Sequence, residues 1–204
     1  MLEVNVVPST LSIAKELVRL SRIGEGADPL THLRLQKLLY YTQAWSLVTR
    51  QSELFEETLE AWRYGPVVTE VREALPKNLG SRQVEPETFT GAADLGPDEA
   101  EFVEAVWEEY KDFTAYKLRD MTHNETPWVN AWGGKPLDAH GHDEIAVADL
   151  EEFFSRQTMS ARIAAYDHEC RKREEEARVH LATRPGIDVH RFAAMAARRS
   201  DSAS

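Results

Sequence analysis

The sequence predicts a mainly α-helical protein: a compact multi-helix domain around a buried central helix, with at most a few short strands and a C-terminal helical extension. The segment LRLQKLLYYTQAW at residues 33–45 would be apolar on almost every side of a helix, so other elements must cover it. Residues 97–113 carry apolar side chains at helical spacing. The run HECRKREEEAR at residues 168–178 mixes both charges densely, which is typical of a solvated helix. We therefore expect one domain over residues 1–156 and a charged helical extension with a disordered end over residues 157–204.

Composition narrows the classes of function. Hydrophobic residues make up 42% of the 204 residues, which is enough for one sizeable core. The net charge of −11 disfavours tight binding to nucleic-acid phosphates and favours a basic protein partner. Cys170 is the only cysteine, so no intramolecular disulfide can form. The N-terminus lacks the features of a signal peptide, and no run approaches the roughly 18 apolar residues of a membrane span. We therefore expect a cytoplasmic protein without a membrane segment.

Two helices are expected to open the domain. Residues 9–22 form the first, with Ser9 as N-cap. Its apolar stripe consists of Leu11, Ala14, Leu17 and Val18. Residues 29–49 form the central helix, with Asp28 as N-cap and Pro29 in the first helical position.

A strand and a further helix are expected around Gly65-Pro66. Residues 58–64 have the pattern of a short strand or an extended approach to a turn. Gly65-Pro66 then predicts a helix start, because glycine is a permissive cap and proline favours the first helical position. The buried residues of that helix would be Val67, Val68, Val71 and Leu75. Residues 77–96 are loop-like, and Val84 and Phe89 either form a short strand there or anchor the loop.

The rest of the domain is predicted to be largely helical. Gly96-Pro97 starts an amphipathic helix that has acidic residues in its first turn, where the helix dipole favours them. Thr114 caps a helix over residues 114–123, and Thr126-Pro127 starts a short helix that Gly133-Gly134 ends. After a polar loop, a strand-like pair is followed by the start of another helix. These residues are Ile145 and Val147, then Leu150, Phe153 and Phe154.

The extension contains a predicted helix over residues 157–182. Its apolar candidates have the spacing of a narrow seam and are Met159, Ile163, Tyr166 and Cys170. The helix is either a solvated extension or an arm that binds a partner or dimerises, and the sequence leaves both readings open.

Three motifs follow one another along the chain: LQKLLYY at residues 35–41, AWRYGPV at residues 61–67 and THNETPW at residues 122–128. In this order they resemble the Panacea domain of SocA-like antitoxins. The residues that carry the resemblance are Leu35, Gln36, Lys37, Leu38, Tyr40, Tyr41, Gly65, Pro66, Val67, His123 and Pro127. Within the first motif, the consecutive polar residues Gln36 and Lys37 would mark a strip that faces solvent.

The resemblance implies a compact, mostly helical domain and a role as the antitoxin of a two-gene toxin–antitoxin system. Proteins of this kind neutralise a toxin by direct contact, and some present it to a Clp-type protease. The implied partners are therefore a cognate protein toxin encoded by an adjacent gene and, for a proteolysis adaptor, a Clp-type protease. A homodimer is left open. Nucleic acid is not an expected partner, because no helix-turn-helix with a basic recognition helix is recognisable.

Aromatic residues of the second motif are candidates for partner binding. Trp62, Arg63 and Tyr64 belong to the residue types that are enriched at the hot spots of protein interfaces. The simpler reading is that Gly65-Pro66 sets a backbone turn and the neighbouring aromatic residues support it. We expect this segment to form part of the recognition surface or its direct support.

The third motif offers a second aromatic pair. Trp128 and Trp132 are four residues apart and would share one face of a helix. They either pack in the core, which is the favoured reading, or form an aromatic binding patch. His123 is predicted to hold the preceding turn through hydrogen bonds.

No catalytic constellation is apparent, and we expect no catalytic residue, cofactor or metal. Cys170 and His168 are two residues apart, which places their side chains on different helix faces. The loop at residues 140–144 contains His140 and His142 with two carboxylates, but no obvious third ligand accompanies the two imidazoles. A metal-dependent enzyme that uses this loop is the rival to a binding protein.

Overall fold

A computed structural model describes residues 8–23, 30–136 and 138–183. Within these ranges the fold is mainly α, as predicted, and includes a small three-stranded sheet. The elements are α1 (Thr10–Leu20), α2 (His32–Thr49), β1 (Leu59–Trp62), β2 (Gly65–Val68), α3 (Thr69–Ala74), a 3-10 turn (Pro86–Phe89), α4 (Pro97–Tyr110), α5 (Ala115–His123), α6 (Thr126–Trp132), β3 (Asp143–Glu144), α7 (Val147–Ser155) and α8 (Ala161–Thr183). The C-terminal end that the sequence predicts to be disordered lies outside the described residues.

Helix α2 is the buried centre of the fold, as predicted. Helices α1, α4, α5 and α7 and strand β2 pack around it. Its fully buried apolar side chains include Leu35, Leu38, Leu39 and Tyr40. The predicted N-cap is wrong: Thr31 caps the helix by accepting a hydrogen bond from the backbone N–H of Arg34. Asp28 and Pro29 lie outside the described residues.

The prediction that Gln36 and Lys37 face solvent is also wrong. Gln36 is 1% exposed and Lys37 is 0% exposed. The apolar periodicity of the helix does not predict this burial, because both side chains are covered by another element and form hydrogen bonds with its backbone. That element is strand β2.

The Gly65-Pro66 pair begins a strand and not the predicted helix. Strands β1 and β2 form an antiparallel hairpin in which Leu59 pairs with Val68 and Trp62 pairs with Gly65. Two consecutive β-branched residues after Pro66 favour extended backbone, and the helix begins only at Thr69. The short strand predicted before Gly65 is confirmed.

The sheet has the order β2-β1-β3, and both pairings are antiparallel. Strand β3 is two residues long and precedes the strand-like Ile145 predicted from sequence. The backbone N–H of Ile145 still donates to the carbonyl of Leu59 at 2.8 Å. Strand β2 is therefore one edge of the sheet, and helix α2 lies against it.

The remaining helix boundaries follow the predicted caps closely. Ser9 caps α1 and Thr114 caps α5, each by accepting a backbone hydrogen bond with its side chain. Gly96-Pro97 starts α4. Helix α6 ends at Gly133, whose φ of +62° lies in the left-handed region that glycine adopts readily.

The chain divides into two compact units between Tyr166 and Asp167. In the first unit, Ile163 and Tyr166 are buried, and the Tyr166 ring lies 5.2 Å from that of Phe102. This half of the predicted seam therefore packs on its own domain. The second unit carries surface ion pairs such as Arg171 with Asp167 at 3.0 Å, and the side chain of Cys170 lies outside what the structure describes. The functional division at residue 156 stays a prediction.

Candidate functional site

The tip of the β1–β2 hairpin is the most exposed aromatic feature of the second motif. Arg63 and Tyr64 are the two residues between the strands, and Tyr64 is 52% exposed. The Arg63 guanidinium lies 5.1 Å from the centre of the Tyr64 ring. Gly65 follows with a φ of +92°, a conformation that costs glycine little and other residues much more.

Gln36 holds the outer edge of β2. Its side-chain Oε1 accepts from the backbone N–H of Val68 at 2.7 Å, and its Nε2 donates to the carbonyl of Val68 at 3.2 Å. The unpaired edge of a strand presents N–H and C=O groups that must find partners when they are buried. The Gln36 amide thus takes the place of a neighbouring strand.

Lys37 completes this attachment from the next position of the helix. Its fully buried ammonium group donates to the carbonyl oxygen of Pro66 at 2.7 Å. Burial, with a smaller contribution from the positive charge of Arg119, lowers the pKa of Lys37 well below its usual range. A Cβ placed on Gly65 would lie 2.6 Å from Lys37 Cε and 2.8 Å from Thr122 Oγ1. All three motifs therefore meet at Gly65.

Trp62 is half-buried and is held on several sides. Its Nε1 donates to Glu60 Oε2 at 2.8 Å. The guanidinium of Arg72 lies 4.6 Å from its ring centre, and the His142 ring meets it edge-on at 4.4 Å. Glu60 also accepts from the hydroxyl of Thr69 at 3.0 Å. This arrangement fixes the ring, so Trp62 offers only part of its surface to a partner.

Trp128 and Trp132 share a helix face, as predicted, and both are 4% exposed. Their rings stack at 5.2 Å with an angle of 12° between the planes. Trp128 Nε1 also donates to the backbone carbonyl of Trp62 at 3.0 Å. Both rings are therefore buried, as the favoured reading of core packing predicts, and the hydrogen bond from Trp128 supports the hairpin. Their role in partner binding stays a prediction.

The predicted role of His123 is wrong. Its ring makes no hydrogen bond with the described residues, and its buried Nε2 lacks a partner among them. It instead stacks on Trp128 at 4.1 Å, while Pro127 is buried in the first turn of α6. Burial, aided by the positive charge of Lys37, lowers the pKa of His123 to about 4. The imidazole is therefore neutral near pH 7.

Glu125 is a largely buried carboxyl of the third motif to which sequence reasoning assigned no role. Its Oε1 accepts from the hydroxyl of Tyr41 at 2.9 Å, whereas its Oε2 has no partner among the described residues. The Tyr41 ring stacks on Tyr110 at 4.2 Å, and the Tyr110 hydroxyl accepts from Trp45 Nε1 at 2.9 Å. Burial raises the pKa of Glu125, although the hydroxyls of Tyr40 and Tyr41 partly oppose this. Its position in the third motif, two residues after His123, was the one available signal.

The histidine loop is engaged with the sheet. His142 Nδ1 lies 3.3 Å from Glu60 Oε2, and its ring packs against Trp62. Across the part of the chain that the structure describes, no three His, Cys, Asp or Glu side chains come together as a metal site would require. The described helices also include none with the length and apolar character needed to cross a membrane.

The sites that sequence reasoning missed are those made by tertiary contact. Arg72 of α3 and Thr122 of α5 meet the hairpin only in the folded chain, and Glu60 of β1 is placed beside the Trp62 indole N–H and the Thr69 hydroxyl by the same folding. Their residue types alone gave no signal.

A comparison with known protein families finds a match that spans all three sequence motifs. The family model described as "Antitoxin SocA-like, Panacea domain" matches residues 35–129, a range that includes all three. No curated protein and no solved structure matches the chain. Neither the family match nor the described contacts support a Clp-type protease or a second copy of the chain as partner. The resemblance seen in the sequence is confirmed, because residues 35–129 of this chain match the model of the SocA-like Panacea domain.

Proposed function

We propose that this chain is the antitoxin of a toxin–antitoxin system and that it neutralises a protein toxin by binding it directly. The observation that carries the proposal is the family match over residues 35–129, which supports an antitoxin-type, non-enzymatic role. The toxin would be encoded by an adjacent gene, and the complex would form in the cytoplasm. The chemistry is non-covalent, so a stable stoichiometric complex is expected.

The hairpin tip is the best candidate for the contact. Tyr64 is exposed on a turn whose backbone is fixed by Gln36, Lys37 and Trp128. A rigid, exposed aromatic residue loses little conformational entropy on binding, which favours it as an anchor. A stable interface buries on the order of 1,600 Å² in total, so neighbouring surface must contribute as well.

The test is co-expression with the neighbouring open reading frame. We expect the gene product to arrest growth alone, growth to recover with the full chain, and the two proteins to co-purify. Tyr64→Ala should weaken the complex. Tyr116→Ala is the matched control, because Tyr116 is 66% exposed and also lies beneath an arginine, Arg119. Absence of both binding and growth protection for every neighbouring gene product would contradict the proposal.

A second candidate is a proteolysis adaptor that presents the toxin to a Clp-type protease. The separate compact unit that begins at Asp167 favours it, because an adaptor needs a second binding part. To test this, residues 171–204 are removed. This truncation keeps Tyr166, a buried residue of the first unit, and one further helical turn. An adaptor would then still bind the toxin but would no longer promote its degradation. A direct inhibitor would still neutralise it.

A further inference from the structure

Two arginines at the hairpin differ from the others that the structure describes. Ten arginine side chains donate to a carboxylate, a carbonyl or a hydroxyl: Arg19, Arg22, Arg34, Arg50, Arg82, Arg119, Arg156, Arg162, Arg171 and Arg173. Arg63 and Arg72 have no hydrogen bond or ion pair with any described residue. Both side chains are exposed.

Each of these two arginines lies over an aromatic ring of the same hairpin. Arg63 is 5.1 Å from the ring centre of Tyr64, and Arg72 is 4.6 Å from that of Trp62. Contact with a ring face orients a guanidinium without using its N–H donors. The hairpin therefore presents two positioned cations that can still bind oxygen atoms. We call the surface formed by Trp62, Arg63, Tyr64 and Arg72 the arginine–aromatic surface.

Among the residues that the structure describes, no carboxylate pairs with Arg63 or Arg72. It contains 35 acidic residues against 24 lysines and arginines, so an unpaired arginine has many chances of finding an acidic neighbour. Glu60, which lies beside the Trp62 ring, already accepts from Trp62 and from Thr69. Two cations left unpaired in such a chain indicate that the carboxylates come from elsewhere.

A depression beside Arg72 extends this surface. It has a volume of about 710 Å³ and is lined by Arg72, Lys77 and the apolar side chains of Leu75, Pro76 and Leu79, together with Glu73. Lys77 has no hydrogen bond or ion pair with the described residues either. The lining thus combines apolar surface with more positive than negative side chains.

We propose that the arginine–aromatic surface binds a carboxylate-bearing segment of the partner protein. The proposal rests on the proposed function, because that partner is the toxin. Carboxylates would pair with Arg63 and Arg72, since the arginine fork matches a carboxylate with two parallel hydrogen bonds. Apolar side chains of the same segment would enter the depression. The net charge of −11 favours a basic partner for the surface as a whole, whereas this contact is local, because exposed charges about 8 Å apart or more are largely screened at physiological salt.

The first experiment measures affinity of the full chain for the neighbouring gene product. Arg63→Ala combined with Arg72→Ala should weaken binding on the order of 1,000-fold, the loss expected for two arginine hot spots of about 2 kcal/mol each. Binding by the double variant should also depend less on salt. Arg156→Ala is the matched control, because Arg156 is exposed and forms its ion pair with Glu152 of α7, the helix that ends at the preceding residue. Circular dichroism should show that both variants remain folded.

The second experiment does not need the toxin. Fluorescence anisotropy compares a labelled dodecapeptide of alternating glutamate and leucine with its lysine–leucine counterpart and with a single-stranded oligothymidine. We expect the wild-type chain to prefer the glutamate peptide and the double variant to lose that preference.

The outcomes separate this proposal from the proposed function. If the toxin binds the double variant as tightly as the wild type, the acidic-segment proposal is overturned and the antitoxin role remains. If no neighbouring product binds at all, the antitoxin role fails, and the peptide comparison alone decides the chemistry of the surface. Equal binding of the two peptides, or tighter arginine-dependent binding of oligothymidine, overturns the proposal.

Discussion

The ammonium group of Lys37 lies 2.7 Å from the carbonyl oxygen of Pro66 and is completely shielded from solvent. This contact joins the first Panacea motif to the second. It places an ionisable group in a setting that favours its neutral form. Its consequences can be measured without knowledge of the partner.

The first prediction concerns the pH dependence of stability through Lys37. Its folded pKa is lowered, so between the folded pKa and the unfolded pKa of about 10.4 the unfolded state binds more protons than the folded state. The contribution of Lys37 to the free energy of unfolding therefore increases as pH rises from 7 to 9.5, by at most about 1.4 kcal/mol per pH unit. Lys37→Met should lack this increase in urea denaturation curves. Lys117→Met, an exposed control, should follow the wild type, and equal pH slopes for all three proteins would contradict the prediction.

The second prediction concerns Gln36. Replacing it with leucine removes both hydrogen bonds to Val68 and leaves a buried N–H and C=O without partners. We expect the free energy of unfolding to fall by about 2–4 kcal/mol. Gln157→Leu alters an exposed glutamine and should change stability by less than about 0.5 kcal/mol. A similar small effect for both variants would show that Gln36 does not hold the strand.

The third prediction separates two reasons for glycine at position 65. Gly65→Ala introduces a methyl group 2.6 Å from Lys37 Cε and also forces alanine to a φ of +92°. Gly80→Ala has a φ of +57° but meets no atom within 4 Å. We expect losses of about 3 kcal/mol for Gly65→Ala and about 1 kcal/mol for Gly80→Ala, because only the first adds overpacking to backbone strain. Thermal denaturation measures both, and equal losses would rule out the close approach.

The fourth prediction concerns Glu125. Its folded pKa is raised, so its stabilising contribution is fully present below the unfolded pKa of about 4.3 and is lost as pH rises through the folded pKa. Glu125→Gln does not titrate, and its stability relative to the wild type should therefore increase from pH 4 to pH 7. Chemical denaturation at several pH values measures this difference. Glu56→Gln provides an exposed control, and a pH-independent difference for Glu125→Gln would refute the assignment.

Local signals predicted the helices well because caps and apolar periodicity act over a few residues. The same dipeptide nevertheless had two outcomes. Gly96-Pro97 is followed by acidic residues and a long amphipathic pattern, and it starts a helix. Gly65-Pro66 is followed by two valines that pair with β1, and it starts a strand. The difference lies in pairing with a distant segment, which a local pattern does not contain.

The candidate site was predictable only in part. Tyr64 is exposed, as a recognition residue should be. The exposure of Gln36 and Lys37 was predicted wrongly, because polar residues in a helix usually face solvent. Here both side chains form hydrogen bonds with the backbone of β2. Arg72 could not have been associated with Trp62 from the sequence, since their contact depends on how α3 folds back beside the hairpin.

Because Gln36 and Lys37 hold the hairpin along the edge of β2 that no strand pairs, the fold places few demands on the identity of residues 63 and 64. A lineage of such chains can therefore vary these two positions while the glycine behind them stays constant. The specificity for a partner could then change faster than the fold, through substitutions at residues 63 and 64 alone.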